Sequence, residues 1–323
     1  MPDLSVRLGA LTLRNPVLAA AGTFGYGIEF AGAVPLNRLG GLVTKTLTRH
    51  PREGNPPPRL VETPSGLLNA VGLQNVGLDA FLRDTLPQLR SHDVPVIVSL
   101  LGRSPEELGE MVELVDRAEG AAAIELNLSC PNIKRSEGSG LPAEATEAQA
   151  GPRPKMVAQD PEATEDMVAA ARAKTRKPLL AKLSPEVTDL APIAQAAERA
   201  GADVLSLVNT FVGMSLDPET RRSRLGVPTG GLSGSAIRPL AVYRVWYTAQ
   251  TVRLPIIGLG GIVRAEDAVE FIAAGATAVA VGTANFADPR AALRVVQGLE
   301  RYLERHRIRA LEDIRGCAHR AKG

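Results

Sequence analysis

Eight times along the chain a short apolar or β-branched run ends in a loop, and amphipathic segments fall between most of these runs. The runs are "NPVLAAAG" (15–22), "GGLVTKT" (40–46), "VPVIVSL" (94–100), "AAIELNLS" (122–129), "LLAKLS" (179–184), "DVLSLVN" (203–209), "PIIGLGG" (255–261) and "TAVAVGT" (277–283). Strands that alternate with helices form a parallel sheet, because parallel neighbours need a crossover too long for a hairpin. Two of the crossovers carry clear helix starts. Ser104 stands before Pro105 in "SPEELGEMVELVDRA", and Asp160 before Pro161 in "DPEATEDMVAAARAKT", each an N-cap followed by a proline in the first turn. The first connection is short, a single turn around 29–38.

Eight such units close into a (β/α)8 TIM barrel, whereas an open doubly wound sheet is the alternative. No GxGxxG follows the first run, so we expect the barrel, as one α/β domain over 1–323. The alternating N-terminus "MPDLSVRLGALTLRNP" is expected to form a hairpin. Two insertions interrupt the rhythm. Residues 47–78 are rich in Pro, Gly and Asn, and 133–159 are polar and alanine-rich. Both leave C-terminal strand ends, where barrels do their chemistry, so both are expected over that mouth.

Composition removes several classes of function. With 37 basic against 35 acidic residues and 3% aromatics, there is neither the charge nor the stacking surface of a nucleic-acid or membrane binder. The cysteines are two, Cys130 and Cys317, and no CxxC or Cys/His cluster is present, so neither a disulfide framework nor a metal site is expected. No signal pattern or apolar run of about 18 residues occurs, and a cytoplasmic protein is expected.

What remains points to a small-molecule site. "GLGGI" (258–262) and "VGTA" (281–284) end the seventh and eighth strands, where barrels bind phosphate through backbone N–H groups. Gly260, Gly261, Gly282 and Thr283 are the expected donors, against the plainer reading that these glycines only make turns. A third glycine segment, "TGGLSG" (229–234), is read as a loop able to close on the same ligand. Lys45 and Lys182 end apolar strands, where an ammonium is costly without an anionic or electron-rich partner. Snorkelling is the ordinary alternative. Asn69, Asn75, Asn127, Asn132, Asn209 and Thr210 lie in loops or at strand ends. Singly they are turn formers; together they describe a neutral pocket for a flat ring with alternating C=O and N–H groups. Cys130 ends a strand before Pro131 and a polar loop, and a thiol with a pKa of about 8.5 is a usable base, though a lone cysteine is as often a small core residue. His50, His92, His306 and His319 lie in loops or the C-terminal tail and form no triad pattern with it.

These pieces resemble the class 1 dihydroorotate dehydrogenases. "NPVLAAAGTFGYG", "GGLVTKTLT", "NAVGLQNVG", "NLSCPN", "AKLSP", "LVNT", "GGLSG", "GLGGI" and "VGTA" occur in the family's order across nearly the whole chain, and "GLQNVG" is similar to the 1B subclass. The resemblance implies a flavin barrel that binds FMN and oxidises dihydroorotate in pyrimidine synthesis. It also implies a homodimer, paired in a heterotetramer with a second subunit that carries FAD and an iron–sulfur cluster and passes electrons to NAD. By the same resemblance Cys130 is the general base. Lys45, Asn69, Ala70, Val71, Gly72, Leu73, Asn127, Asn132, Asn209 and Thr210 would hold substrate. Ala21, Lys45, Thr46, Ser99, Asn127, Lys182, Val208, Gly234, Gly260, Gly261, Gly282 and Thr283 would hold FMN.

The chain departs from the pattern in three places. Ala21 stands for a usual serine, Ser99 for a common asparagine, and a longer polar segment follows "CPNIK". Two other readings stay open on the sequence: a related flavin barrel that reduces uridine in tRNA, and a redox-inactive flavin-binding scaffold.

Overall fold

The computed structural model describes residues 2–129 and 156–320. Cys130 and Asn132, expected as base and substrate ligand, lie outside them, as does most of the second insertion.

The chain opens with β1 (Val6–Leu8), β2 (Leu11–Leu13) and β3 (Val17–Ala19), and continues with β4 (Gly41–Val43), β5 (Leu60–Thr63), β6 (Gly66–Asn69), β7 (Val96–Leu100) and β8 (Ala121–Asn127). Beyond the second insertion come β9 (Leu179–Lys182), β10 (Val204–Leu207), β11 (Phe211–Gly213), β12 (Leu216–Asp217), β13 (Arg222–Ser223), β14 (Gly230–Ser233), β15 (Ile256–Leu259) and β16 (Ala278–Val281). Eight of these, β3, β4, β7, β8, β9, β10, β15 and β16, pair in parallel and close into a barrel. Seven fall inside the runs read from the sequence, and β8 begins one residue before its run. The two expected helix starts are also present: Ser104 Oγ accepts from Glu107 N, and Asp160 accepts from Glu162 N and Ala163 N, at the heads of Pro105–Arg117 and Pro161–Arg172. Two single 3-10 turns, Ile28–Phe30 and Leu36–Arg38, make the short first connection.

Alternation along each strand sends one residue to the helices and the next into the barrel. Inward-facing Leu18, Val43, Ile97, Ala123, Leu180, Val204, Ile257 and Ala278 form one apolar cluster with Leu8 and Leu13 of the N-terminal hairpin. The hairpin turn at Gly9 lies against Asp203, just before β10, so the hairpin stoppers the N-terminal end of the barrel. Helix Ala291–His306 buries Leu293, Val295, Val296, Leu299 and Leu303 against its own barrel.

The first insertion does not stay a loop. β5 and β6 form a hairpin that joins β14 and β11 in an antiparallel sheet ordered β11-β14-β6-β5. The "TGGLSG" segment is therefore corrected from a glycine loop to a strand, β14, which is followed by Gly234 with φ +91°. Its glycines are needed for packing. A Cβ on Gly231 would stand 2.1 Å from Thr210 Oγ1, so a side chain there would push Thr210 away. Gly231→Ala is expected to destabilise this sheet by about 1–3 kcal/mol, as overpacking does. Amide hydrogen exchange checks it: the amides of β6 and β14 should exchange faster, while those of β8 and β9 keep their wild-type rates.

Candidate active site

The barrel interior changes character along its axis. Two residues beyond the apolar layer, the same inward faces carry Ser99 on β7, Glu125 on β8, Lys182 on β9 and Ser206 on β10, with Asn127 one step further on β8. All are buried, and polar groups in such a place need partners. Most are found within the layer. Ser99 Oγ donates to Glu125 Oε1 at 3.0 Å and lies 3.0 Å from Thr46 Oγ1; Asn127 Nδ2 donates to Thr46 Oγ1 at 3.2 Å. Ser129 Oγ donates to Asn127 Oδ1 at 2.8 Å, Asn209 Nδ2 donates to Ser129 Oγ, and Thr210 N donates to Asn209 Oδ1. Lys182 is a charged exception. It is 5% exposed and sits in register between Asn127 and Ser206, and its ammonium has no hydrogen-bond or ion-pair partner among the described residues.

Three loops meet at the C-terminal ends of β3 and β4. Lys45 N donates to Gly25 O, and Lys45 Nζ is 3.9 Å from where a Cβ on Gly22 would be, so the amine overlies the turn after Ala21. Val76 N donates to Tyr26 Oη, while Asn75 Nδ2 donates to Thr48 Oγ1 and Leu73 O. Burial pushes the Tyr26 phenol up, partly offset by the Val76 N–H it accepts. Asn75, read as a pocket amide, thus spends its carboxamide on the loop: its Oδ1 also accepts from Gly77 N. That clamp holds Gly72 and Leu73 in consecutive left-handed conformations, φ +74° and +59°. For Leu73 this conformation costs about 1–2 kcal/mol. Ala70 turns its methyl to the small core beneath the second sheet, and Val71 O accepts from Asn55 N.

The three glycine segments converge. Gly260 and Gly261 follow β15 with φ +129° and +82°, and a Cβ on Gly261 would stand 2.8 Å from Gly234 O. Thr283 Oγ1 donates to Ser233 Oγ at 2.9 Å, which brings the end of β16 to the end of β14. Asp267 fixes the turn from behind, because its buried carboxylate accepts from Val263 N, Arg264 N and Arg238. Asn69 reaches the same sheet, donating from Nδ2 to Gly231 O at 3.0 Å. Residues read separately from the sequence, Asn69, Thr210, Gly234, Gly261 and Thr283, are thereby joined along β14.

Two of the residues named for FMN sit differently from the others. The Ser99 hydroxyl is enclosed between Thr46 and Glu125, and the Val208 side chain belongs to the apolar core while its N–H donates to Leu259 O. Glu125 and Ser129 were missed, though a glutamate two residues before Asn127 in "AAIELNLS" had to share its inward face.

With this geometry in place, likeness to known proteins becomes informative. Residues 3–303 match the family model of dihydroorotate dehydrogenase. This chain belongs to the dihydroorotate dehydrogenase family. Its relatives include proteins called dihydroorotate dehydrogenase B (NAD(+)), catalytic subunit. The one from Desulforudis audaxviator is 50% identical over 99% of this chain and 98% of its own length. That from Geotalea uraniireducens is 49% identical over 98% of each, and that from Thermodesulfovibrio yellowstonii is 45% identical over 98% and 99%. In this family member the lone ammonium of Lys182 separates a functional from a structural role. Lys182→Met is expected to unfold at the same denaturant concentration or higher, by up to about 2 kcal/mol, because it removes, at similar volume, a charge on a largely buried side chain with no partner among the described residues. Flavin binding measured on the same sample should fall.

Proposed function

We propose that the chain is the catalytic subunit of a dihydroorotate dehydrogenase that oxidises dihydroorotate to orotate in de novo pyrimidine biosynthesis, with FMN as its cofactor. The observation that carries this reading is Lys182, a 5% exposed residue whose ammonium has no hydrogen-bond or ion-pair partner among the described residues, at the same barrel end as the converged glycine turns. These residues fit FMN. Backbone N–H groups of Gly234, Gly260, Gly261, Gly282 and Thr283 would hold its phosphate, and Lys182 would face the ring edge that gathers negative charge. Thr46 and Asn127 would meet the ring's polar edge, and Ala21 and Val208 would contribute backbone groups. FMN when bound accepts the hydride that leaves C6 of dihydroorotate.

The chain's own part is proton removal and positioning. Cys130 would take the proton from C5 as general base, a role carried over from the family resemblance. Lys45 would hold the substrate carboxylate. The carboxamides of Asn69, Asn127, Asn132 and Asn209, with Thr210, would match the ring's C=O and N–H groups, and the strained Gly72–Leu73 turn would set one wall. Ser99 would act on the flavin only through Thr46. We further propose a homodimer joined to a partner subunit with FAD and an iron–sulfur cluster, working in the cytoplasm with NAD as final acceptor. Among the described residues no helix is long and apolar enough to cross a membrane.

Anaerobic mixing of the purified yellow protein with dihydroorotate should bleach its visible flavin absorbance within seconds. A protein that takes up no FMN, or whose FMN stays oxidised, refutes the reading. Cys130→Ser should bind FMN as wild type does and slow the bleaching by about 100-fold or more near neutral pH, because a serine hydroxyl is a far weaker base.

A further inference from the structure

We propose that Glu125 is a positioning residue that orients the carboxamides of Asn127 and Asn209 through a one-way string of hydrogen bonds. The inference rests on the function proposed above for those two amides. A hydroxyl has one hydrogen, a carboxylate only accepts, and a carboxamide presents a donor on one side and an acceptor on the other. Ser99 gives its hydrogen to Glu125, so it must accept from Thr46; Thr46 has then spent its hydrogen and must accept from Asn127 Nδ2. That choice turns Asn127 Oδ1 toward Ser129, which donates to it and accepts from Asn209 Nδ2. Every side-chain donor in the string points toward the carboxylate.

The far end has fixed donors of its own. Ser129 N meets Asn127 Oδ1 at 3.3 Å, and Thr210 N meets Asn209 Oδ1 at 2.9 Å. The first of these is long, so Asn127 depends most on the side governed by Thr46, Ser99 and Glu125. Without an acceptor at position 125 the Ser99 hydrogen is free to turn to Thr46. The Thr46 hydrogen then turns toward Asn127 Nδ2, donor against donor. Asn127 is released to rotate, and the groups it shows the substrate interchange. A buried glutamate, 2% exposed, with this single side-chain bond among the described residues, is costly for stability alone, which argues for the orienting role.

The test uses Glu125→Met, Glu125→Gln, Ser99→Ala and the double variant of methionine with alanine. Glu125→Met should raise the KM for dihydroorotate about tenfold, with kcat within about threefold of wild type, as expected when one substrate-facing hydrogen bond is misdirected. The dissociation constant for FMN, read by flavin fluorescence, should rise, while the thermal midpoint stays level or increases. Glu125→Gln, which keeps an acceptor, should recover most of the KM. Ser99→Ala should match Glu125→Met, and the double variant should be no worse than either, because both cut one string. In FMN-free protein labelled with nitrogen-15 asparagine, the side-chain resonances of Asn127 and Asn209, assigned by Asn127→Asp and Asn209→Asp, should shift or double in Glu125→Met. The proposal is overturned if those resonances and KM are unchanged, or if the Glu125 and Ser99 effects multiply. A wild-type protein that neither binds FMN nor oxidises dihydroorotate would sink the proposed function, and the resonances would still decide the string.

Discussion

Closing a parallel sheet on itself forces every second strand residue into a space that excludes water, and this constraint governs the site. Packed side chains must fill that space, and any polar group in it must find partners there. The chain solves the two halves differently. Leucine, isoleucine, valine and alanine fill the end stoppered by the hairpin, and hydroxyls, amides, a carboxylate and an ammonium fill the other. Because Ser99 pairs in register with Glu125, and Lys182 with both Asn127 and Ser206, their separations are set by the ladder and not by loops. Rigid strands are a good foundation for a pocket that must hold a ring in one orientation.

The eight barrel strands were legible because period and composition speak for each one alone. Lys45 and Lys182 were legible for a related reason: a charged residue in a run such as "LLAKLS" contradicts its surroundings and calls for an explanation. The glycine turns after β15 and β16 were found by place, since barrels put anion sites there. The second sheet was not legible. Its strand Gly230–Ser233 carries two glycines and a serine, a composition that reads as a loop, and it becomes a strand only because β6 and β11 flank it. Asn75 shows the opposite error. Its amide looked suited to a ligand, yet it is consumed by Thr48, Leu73 and Gly77, and no local signal distinguishes the two fates.

The departures from the family pattern gain a physical setting here. Serine at position 99 is too short to reach far, and the structure gives its hydroxyl two neighbours inside the barrel, Thr46 and Glu125. The hydrogen-bonded string thus runs from Glu125 through Ser99, Thr46, Asn127 and Ser129 to Asn209, at the same end of the barrel as Lys182. Stability and function pull apart at such positions, because a methionine or leucine would pack there at lower cost.

One consequence concerns the order in which the molecule is assembled. Asn69 and Gly231 are neighbours in the second sheet although 162 residues separate them. Contacts so distant along the chain form slowly, because a long segment must lose its freedom before they are rewarded. On a ribosome the β5–β6 hairpin emerges long before β14, and it waits without its central partner while most of the barrel is made. The second sheet is therefore a late product of biogenesis, and the hairpin's unpaired edge is a part of the nascent chain that needs shielding from other strands.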